Sequence, residues 1–181
     1  FIGRLVGEKG ADLLPQAIFE TLTNLYGRLN ILVLGSGEKD VESGLQHLQH
    51  QFTGSYSSYI GYNERLSHLI YAGADFLLMP SRVEPCGLNQ LYALKYGTIP
   101  IVRRTGGLKD TVIDIGDPGG FGFCHDQANV WDIQYSIKRA WMLYHEKEKL
   151  AGVKKHIMQI DHSWENQTGE YIKLYKSLIT T

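Results

Sequence analysis

DFLLMPSRVEPCGLNQLYALKYGTIPIVRRTGGLKDTV, residues 75–112, repeats one arrangement twice: an apolar strand, a tight turn and a helix. DFLLM at 75–79 and IPIV at 99–102 are apolar runs of strand length. Past the first, Glu84 stands where the apolar run has stopped, Pro85, Cys86 and Gly87 force a turn, and Leu88 opens an amphipathic helix. Past the second, Arg104-Thr105-Gly106-Gly107-Leu108 turns into another helix. Strand–turn–helix in succession brings both turns to the carboxyl edge of a parallel sheet. Helix starts carry free backbone N–H groups, so such an edge suits a phosphorylated ligand.

The same alternation runs outward through the chain. Residues 1–4 read as a first strand. Asp12 reads as the cap of a helix with Pro15 in its first turn, a buried face of Leu14, Ile18, Leu22 and Leu25, and Gly27 at its end. NILVL at 30–34 is a second strand, followed by Gly35-Ser36-Gly37 and a polar helix over 39–51 with Val41, Leu45 and Leu48 as its apolar stripe. A strand over 56–62 leads into a helix over 64–73, and Phe121-Gly122-Phe123 makes a short sixth strand after the turn-rich 116–120. The remainder reads as helices over 129–145, 146–158 and 163–178. This order predicts a doubly wound parallel α/β sheet that binds ligands at the carboxyl ends of its strands.

With 181 residues, 43% of them hydrophobic, the chain can bury a full core as one domain. Its net charge of −1 argues against nucleic acid as a partner, which calls for a basic face. No apolar run approaches the roughly 20 residues that span a bilayer, and Arg4, Glu8 and Lys9 interrupt the only apolar stretch near the start. Two cysteines, Cys86 and Cys124, fit a reduced setting better than a disulfide framework. The opening Phe1-Ile2-Gly3-Arg4-Leu5 reads as the tail of a buried strand, so the chain is expected to be part of a longer protein.

The residues that follow each strand form the candidate site: Arg4 and Lys9, Gly35-Ser36-Gly37, Tyr62, the Glu84 turn and the Thr105-Gly106-Gly107 turn. Two cations suit a diphosphate, Tyr62 offers a ring for a base, and Gly87, Gly106 and Gly107 let backbone amides approach an anion. Taken singly, each has a plainer reading as a surface charge, a packing residue or a turn. Gly35-Ser36-Gly37 lacks the third glycine of a dinucleotide fingerprint, and Cys86 has no local base that would make it a nucleophile. The seven histidines show no metal-ligand spacing, so no metal site is expected. The joint placement of the residues that follow the strands, at one edge, favours a ligand site.

FIGRLV-EKG at 1–10, IGY at 60–62, PSRVEPCGL at 80–88 and RRTGGL at 103–108 resemble the bacterial glycogen synthase and plant starch synthase family, glycosyltransferase family 5, over its C-terminal half. The resemblance implies a Rossmann-like, doubly wound parallel sheet that is the C-terminal, donor-binding domain of a GT-B enzyme. It implies retaining transfer of glucose from ADP-glucose to the non-reducing end of an α-1,4-glucan, with ADP as product and no cofactor. By matching positions, Arg4 and Lys9 would hold the donor phosphates, and Tyr62 would stack on adenine. Glu84 would stabilise charge at the glucosyl ring, and Cys86, Gly87 and Leu88 would contact sugar and distal phosphate through their amides. Asn89, Thr105, Gly106 and Gly107 complete the implied set. Asn89 stands where threonine is expected, and Tyr92 stands where wider retaining transferases carry the second acid of E-x7-E.

The resemblance further implies that the α-glucan acceptor binds a separate N-terminal domain. The helix over 163–178 would pack toward that domain, and residues 1–181 alone would not transfer glucose. A cytoplasmic bacterial protein, or a plastid one if from a plant, follows from the same likeness. A non-catalytic nucleotide-binding module and a GT-B transferase for another sugar nucleotide are the alternatives.

Overall fold

The computed structural model describes residues 1–25 and 27–179. Strand β1 (Ile31–Gly35) pairs in parallel with β2 (Tyr56–Ile60), Ile31 opposite Tyr56 and Gly35 opposite Ile60. Strands β3 (Phe76–Met79), β4 (Ile99–Arg103) and β5 (Phe123–His125) form a second parallel sheet in that order. Parallel neighbours need crossovers. Between paired strands they are supplied by helices α2 (Lys39–Gln51), α4 (Asn89–Tyr96) and α5 (Gly106–Thr111), while α1 (Leu14–Asn24) precedes β1 and α3 (Glu64–Gly73) joins one sheet to the other. Helices α6 (Val130–His145), α7 (Lys147–Ile157) and α8 (Trp164–Ile179) follow β5. The α/β class and the parallel pairing agree with the strand–helix alternation of the sequence.

Each sheet has its own core. Leu14, Ile18 and Leu22 of α1 meet Val33 of β1 and Val41, Leu45 and Leu48 of α2 in one cluster. Leu77, Met79, Ile101, Val102 and Phe123 meet Leu94, Leu108 and Leu143 in the other. Leu78 of β3 packs against both and joins them. Among the described residues no helix is long and apolar enough to cross a membrane.

Several boundaries differ from the sequence reading. Residues 1–5 run beside β1, but as the isolated bridges Ile2–Leu34 and Leu5–Gly37 rather than a regular strand. On the far side of this segment the Ile2 carbonyl accepts from the Asn89 side chain (2.8 Å), so a side chain stands where a neighbouring strand would continue the ladder. Asp12 does not cap α1: two 3-10 turns, Gly7–Lys9 and Ala11–Leu13, lead into that helix, and the N-cap is Leu13 without a side-chain bond. The last strand begins two residues later than expected because Phe121 and Gly122 both donate to the Ile113 carbonyl. The stripe Tyr171, Leu174, Tyr175 and Leu178 of α8 is 54–69% exposed, and the helix buries no residue.

Asp114 ties the loop before β5 to α6. Its carboxylate accepts from the Cys124 and Gly116 amides (2.7 and 2.9 Å) and from both ends of the Arg139 guanidinium (2.9 and 2.6 Å). Burial alone would raise its pKa, but the Arg139 fork and the two amides outweigh it and hold Asp114 at about 2. A lowered carboxylate pKa stabilises the fold above the unfolded value near 4, and that stabilisation is lost as pH falls toward 2. Asp114→Asn is therefore expected to lower stability by roughly 2 kcal/mol at neutral pH and to flatten the acid limb between these values. Chemical denaturation at stepped pH reads both effects; an unchanged acid limb would contradict the assignment.

Candidate functional site

The carboxyl edges of the two sheets meet around the turn over 7–13 and the loop over 80–88. Gly10 has φ 66°, and a Cβ there would lie 2.3 Å from the Pro80 carbonyl oxygen, so only glycine lets the turn come this close to the end of β3. The Arg82 and Val83 amides both donate to the Glu8 carbonyl (2.8 and 3.1 Å). The Arg82 guanidinium donates to the Gly7 carbonyl (2.6 Å) and grips Asp12 with both nitrogens, Nη2 to Oδ2 at 2.9 Å. This bond to Arg82 is the main reason the Asp12 carboxyl is held below its usual range, and the same contact raises Arg82.

Turn and loop together bring Lys9 to Glu84, with Nζ 2.6 Å from Oε2. The Glu84 side chain is 9% exposed and that of Lys9 is 23% exposed. Ser81 Oγ donates to the same carboxylate oxygen at 3.1 Å. A nearly buried carboxylate that accepts from an ammonium and a hydroxyl is both charged and fixed in place.

Directly after Glu84 the chain enters α4. No side chain caps this helix, and the N–H groups of Cys86, Gly87 and Leu88 find no acceptor among the described residues. Gln90, fully buried, holds the turn from beneath: its amide nitrogen donates to the Cys86 and Gly87 carbonyls and to Thr111 Oγ1. The turn thus leaves these donors unpaired next to Glu84, an arrangement suited to an anion.

The second glycine turn packs directly against the first. Gly107 donates its N–H to the Glu84 carbonyl (3.0 Å), so that amide is not a free donor for an anion. A Cβ on Gly106 would sit 2.1 Å from the Glu84 carbonyl oxygen, and one on Gly107 would sit 2.0 Å from that of Cys86. Both glycines let one turn lie against the other. Thr105 donates through Oγ1 to the Arg82 carbonyl (3.3 Å), and Arg103 donates to the Ser81 and Arg82 carbonyls, which braces the Glu84 loop from behind.

Arg4, Tyr62 and Asn89 lie elsewhere along the same edge, around a cleft of about 490 Å³. The ladder between β1 and β2 ends at Ile60, the Gly61 amide closes onto the Gly35 carbonyl, and Tyr62 stands 85% exposed at the cleft rim. Ser36, Asn63, His68 and Tyr92 line the cleft as well. Arg4 pairs with Glu8 at 3.3 Å, both well exposed, whereas Lys9 pairs with Glu84. The two cations read together as a diphosphate clamp are thus held on different carboxylates. Among the described residues no group of three or more His, Cys, Asp or Glu side chains is placed to hold a metal ion.

Sequence reasoning passed over Ser81, Arg82, Gln90 and Arg103. The first two sit inside the quoted PSRVEPCGL stretch, and Gln90 is a polar residue on the buried side of a short helix, so adjacency to Glu84 was the available signal.

The family described as Glycosyl transferases group 1 matches residues 1–152. A glycogen synthase of Flavobacterium johnsoniae is 59% identical over 99% of the chain, which spans 38% of that relative's length. A glycogen synthase of Rhodospirillum rubrum is 42% identical over 98% of the chain and 36% of its own length. The catalytic domain of starch synthase IV from Arabidopsis thaliana, solved bound to ADP and acarbose, superposes with a TM-score of 0.83. It is 34% identical, and the match covers 99% of this chain and 38% of that one. The C-terminal domain of a group 1 glycosyl transferase from Francisella tularensis, 19% identical, shares the fold with a TM-score of 0.68 over 87% of this chain and 80% of its own. A parallel α/β fold with the architecture of a GT-B C-terminal domain, and a family match over most of its length, show that the chain belongs to the group 1 glycosyl transferases.

Proposed function

We propose that this chain is the donor-binding half of a glycogen or starch synthase, a retaining α-1,4-glucosyltransferase that takes glucose from ADP-glucose. The observation that carries the reading is the Lys9–Glu84 pair beside the N–H groups of Cys86, Gly87 and Leu88, which have no acceptor among the described residues. Glycosyl transfer builds positive charge on the sugar and negative charge on the departing diphosphate. Glu84 opposes the first, and Lys9, Arg4 and the α4 amides oppose the second. Tyr62 at the cleft rim supplies a face for adenine, and the ADP in the starch synthase IV structure supports that base.

The remaining parts of the proposal reach beyond the chain. The α-glucan acceptor binds an N-terminal domain, α8 lends its exposed stripe to that domain, and the enzyme works in the cytoplasm or a plastid. The 181-residue chain then binds ADP weakly and does not elongate a glucan. Titration calorimetry with ADP tests the binding half: Arg4→Ala and Lys9→Ala are each expected to weaken ADP roughly tenfold or more, since a charge-assisted bond is lost. Heats equal to those of the unsubstituted chain would sink the phosphate assignment, and glucan elongation by residues 1–181 alone would overturn the need for a second domain.

A further inference from the structure

Lys9 and Glu84 are 75 positions apart in sequence, and neither stands on a long element. Lys9 ends a three-residue 3-10 turn, and Glu84 lies in the loop between β3 and α4. Their 2.6 Å contact must therefore be set by whatever joins turn to loop. Arg82 is the hub of that junction. Its backbone N–H takes the Glu8 carbonyl, one residue before Lys9, and its guanidinium takes Gly7 and Asp12 on either side. Its own carbonyl is held from behind by Arg103 and Thr105.

We propose that Asp12 and Arg82 are positioning residues that set the Lys9–Glu84 geometry and so act on the glucosyl-transfer step, which rests on the donor-site reading above. Exposure argues for this role over a purely structural one. The two side chains are 39% and 37% exposed, and ion pairs so exposed contribute little to stability. A guanidinium fork on a carboxylate does fix orientation, which a lysine ammonium cannot do. A misplacement of about 1 Å at reacting groups costs on the order of 10²-fold in rate, so a weak pair can govern a strong effect.

The test uses the full-length enzyme, with glucosyl transfer measured across ADP-glucose concentration. Arg82→Met, Arg82→Lys and Asp12→Asn are expected to lower kcat roughly 10- to 100-fold, with KM for ADP-glucose nearly unchanged and thermal unfolding close to that of the parent. In a Glu84→Gln background, Arg82→Met should cost nothing further, because the residue acts through a group already disabled. Full activity in Arg82→Met, a change confined to KM, or a loss that adds in full to that of Glu84→Gln would overturn the positioning role. An unsubstituted full-length enzyme that fails to transfer glucose would overturn the donor-site reading and this role with it; an active enzyme indifferent to Arg82 would overturn this role alone.

Discussion

Glu84→Gln in the full-length enzyme is expected to slow glucosyl transfer by on the order of 10²- to 10³-fold while leaving ADP affinity intact or higher. Glutamine keeps the size of the side chain and an oxygen for the Ser81 hydroxyl, which now sits 3.1 Å from the carboxylate. What it removes is the negative charge that would oppose the positive charge developing on the sugar. The substitution also leaves Lys9, now 2.6 Å from a carboxylate oxygen, facing a neutral amide oxygen, and an ammonium without a charged partner is freer to meet a diphosphate. Turnover and ADP binding thus move in opposite directions, which a damaged fold would not produce. Steady-state kinetics paired with calorimetry decide it: unaltered turnover would favour a nucleotide-binding module without catalysis, and parallel loss of both would point to misfolding.

Gly107→Ala carries the largest expected effect on stability. The added Cβ would lie 2.0, 2.6 and 2.7 Å from the oxygen, carbon and Cα of Cys86, all backbone atoms with no side-chain freedom to give way. Relief requires the two turns to separate, which breaks the buried bond from the Gly107 N–H to the Glu84 carbonyl. Overpacking and the lost bond together cost roughly 3 kcal/mol or more. For a domain of this size that lowers Tm by roughly 6–12 °C. Gly152, inside α7 with nothing within 4 Å of a built Cβ, is the control, and alanine there should stabilise by about 0.5–1 kcal/mol. Thermal unfolding of both variants checks the pair. An alanine at 107 that melts with the parent would show that the turns are not packed as described.

Local signals were legible wherever a residue's neighbours in sequence were also its neighbours in space. The apolar runs at 30–34, 75–79 and 99–102 fall on the strands Ile31–Gly35, Phe76–Met79 and Ile99–Arg103, and Leu14, Ile18 and Leu22 are buried at helical spacing. The Gly27 amide closes α1 on the Leu22 carbonyl at 2.9 Å, as its place in the sequence predicts. Asp12 was misread because an acid ahead of a helix looks like a cap. Its partner, Arg82, is 70 positions away, and nothing in the local pattern announces it. Gly106 and Gly107 were read as open to an anion because glycine marks close approach without naming what approaches. The structure shows one such approach, that of the backbone of the other turn.

Sequence by itself determined the class of fold, the edge at which the candidate residues gather and, through its motifs, the family, because strand and helix patterning and turn residues are local properties of the chain. Only the tertiary structure decided which charges meet. It set Lys9 against Glu84 and Arg4 against Glu8, tied the first pair through Asp12 and Arg82, and laid two glycines along a seam between turns. Such pairings depend on how crossovers stack remote loops on one edge, and loop closure over 70 or more positions leaves no periodic trace in the sequence.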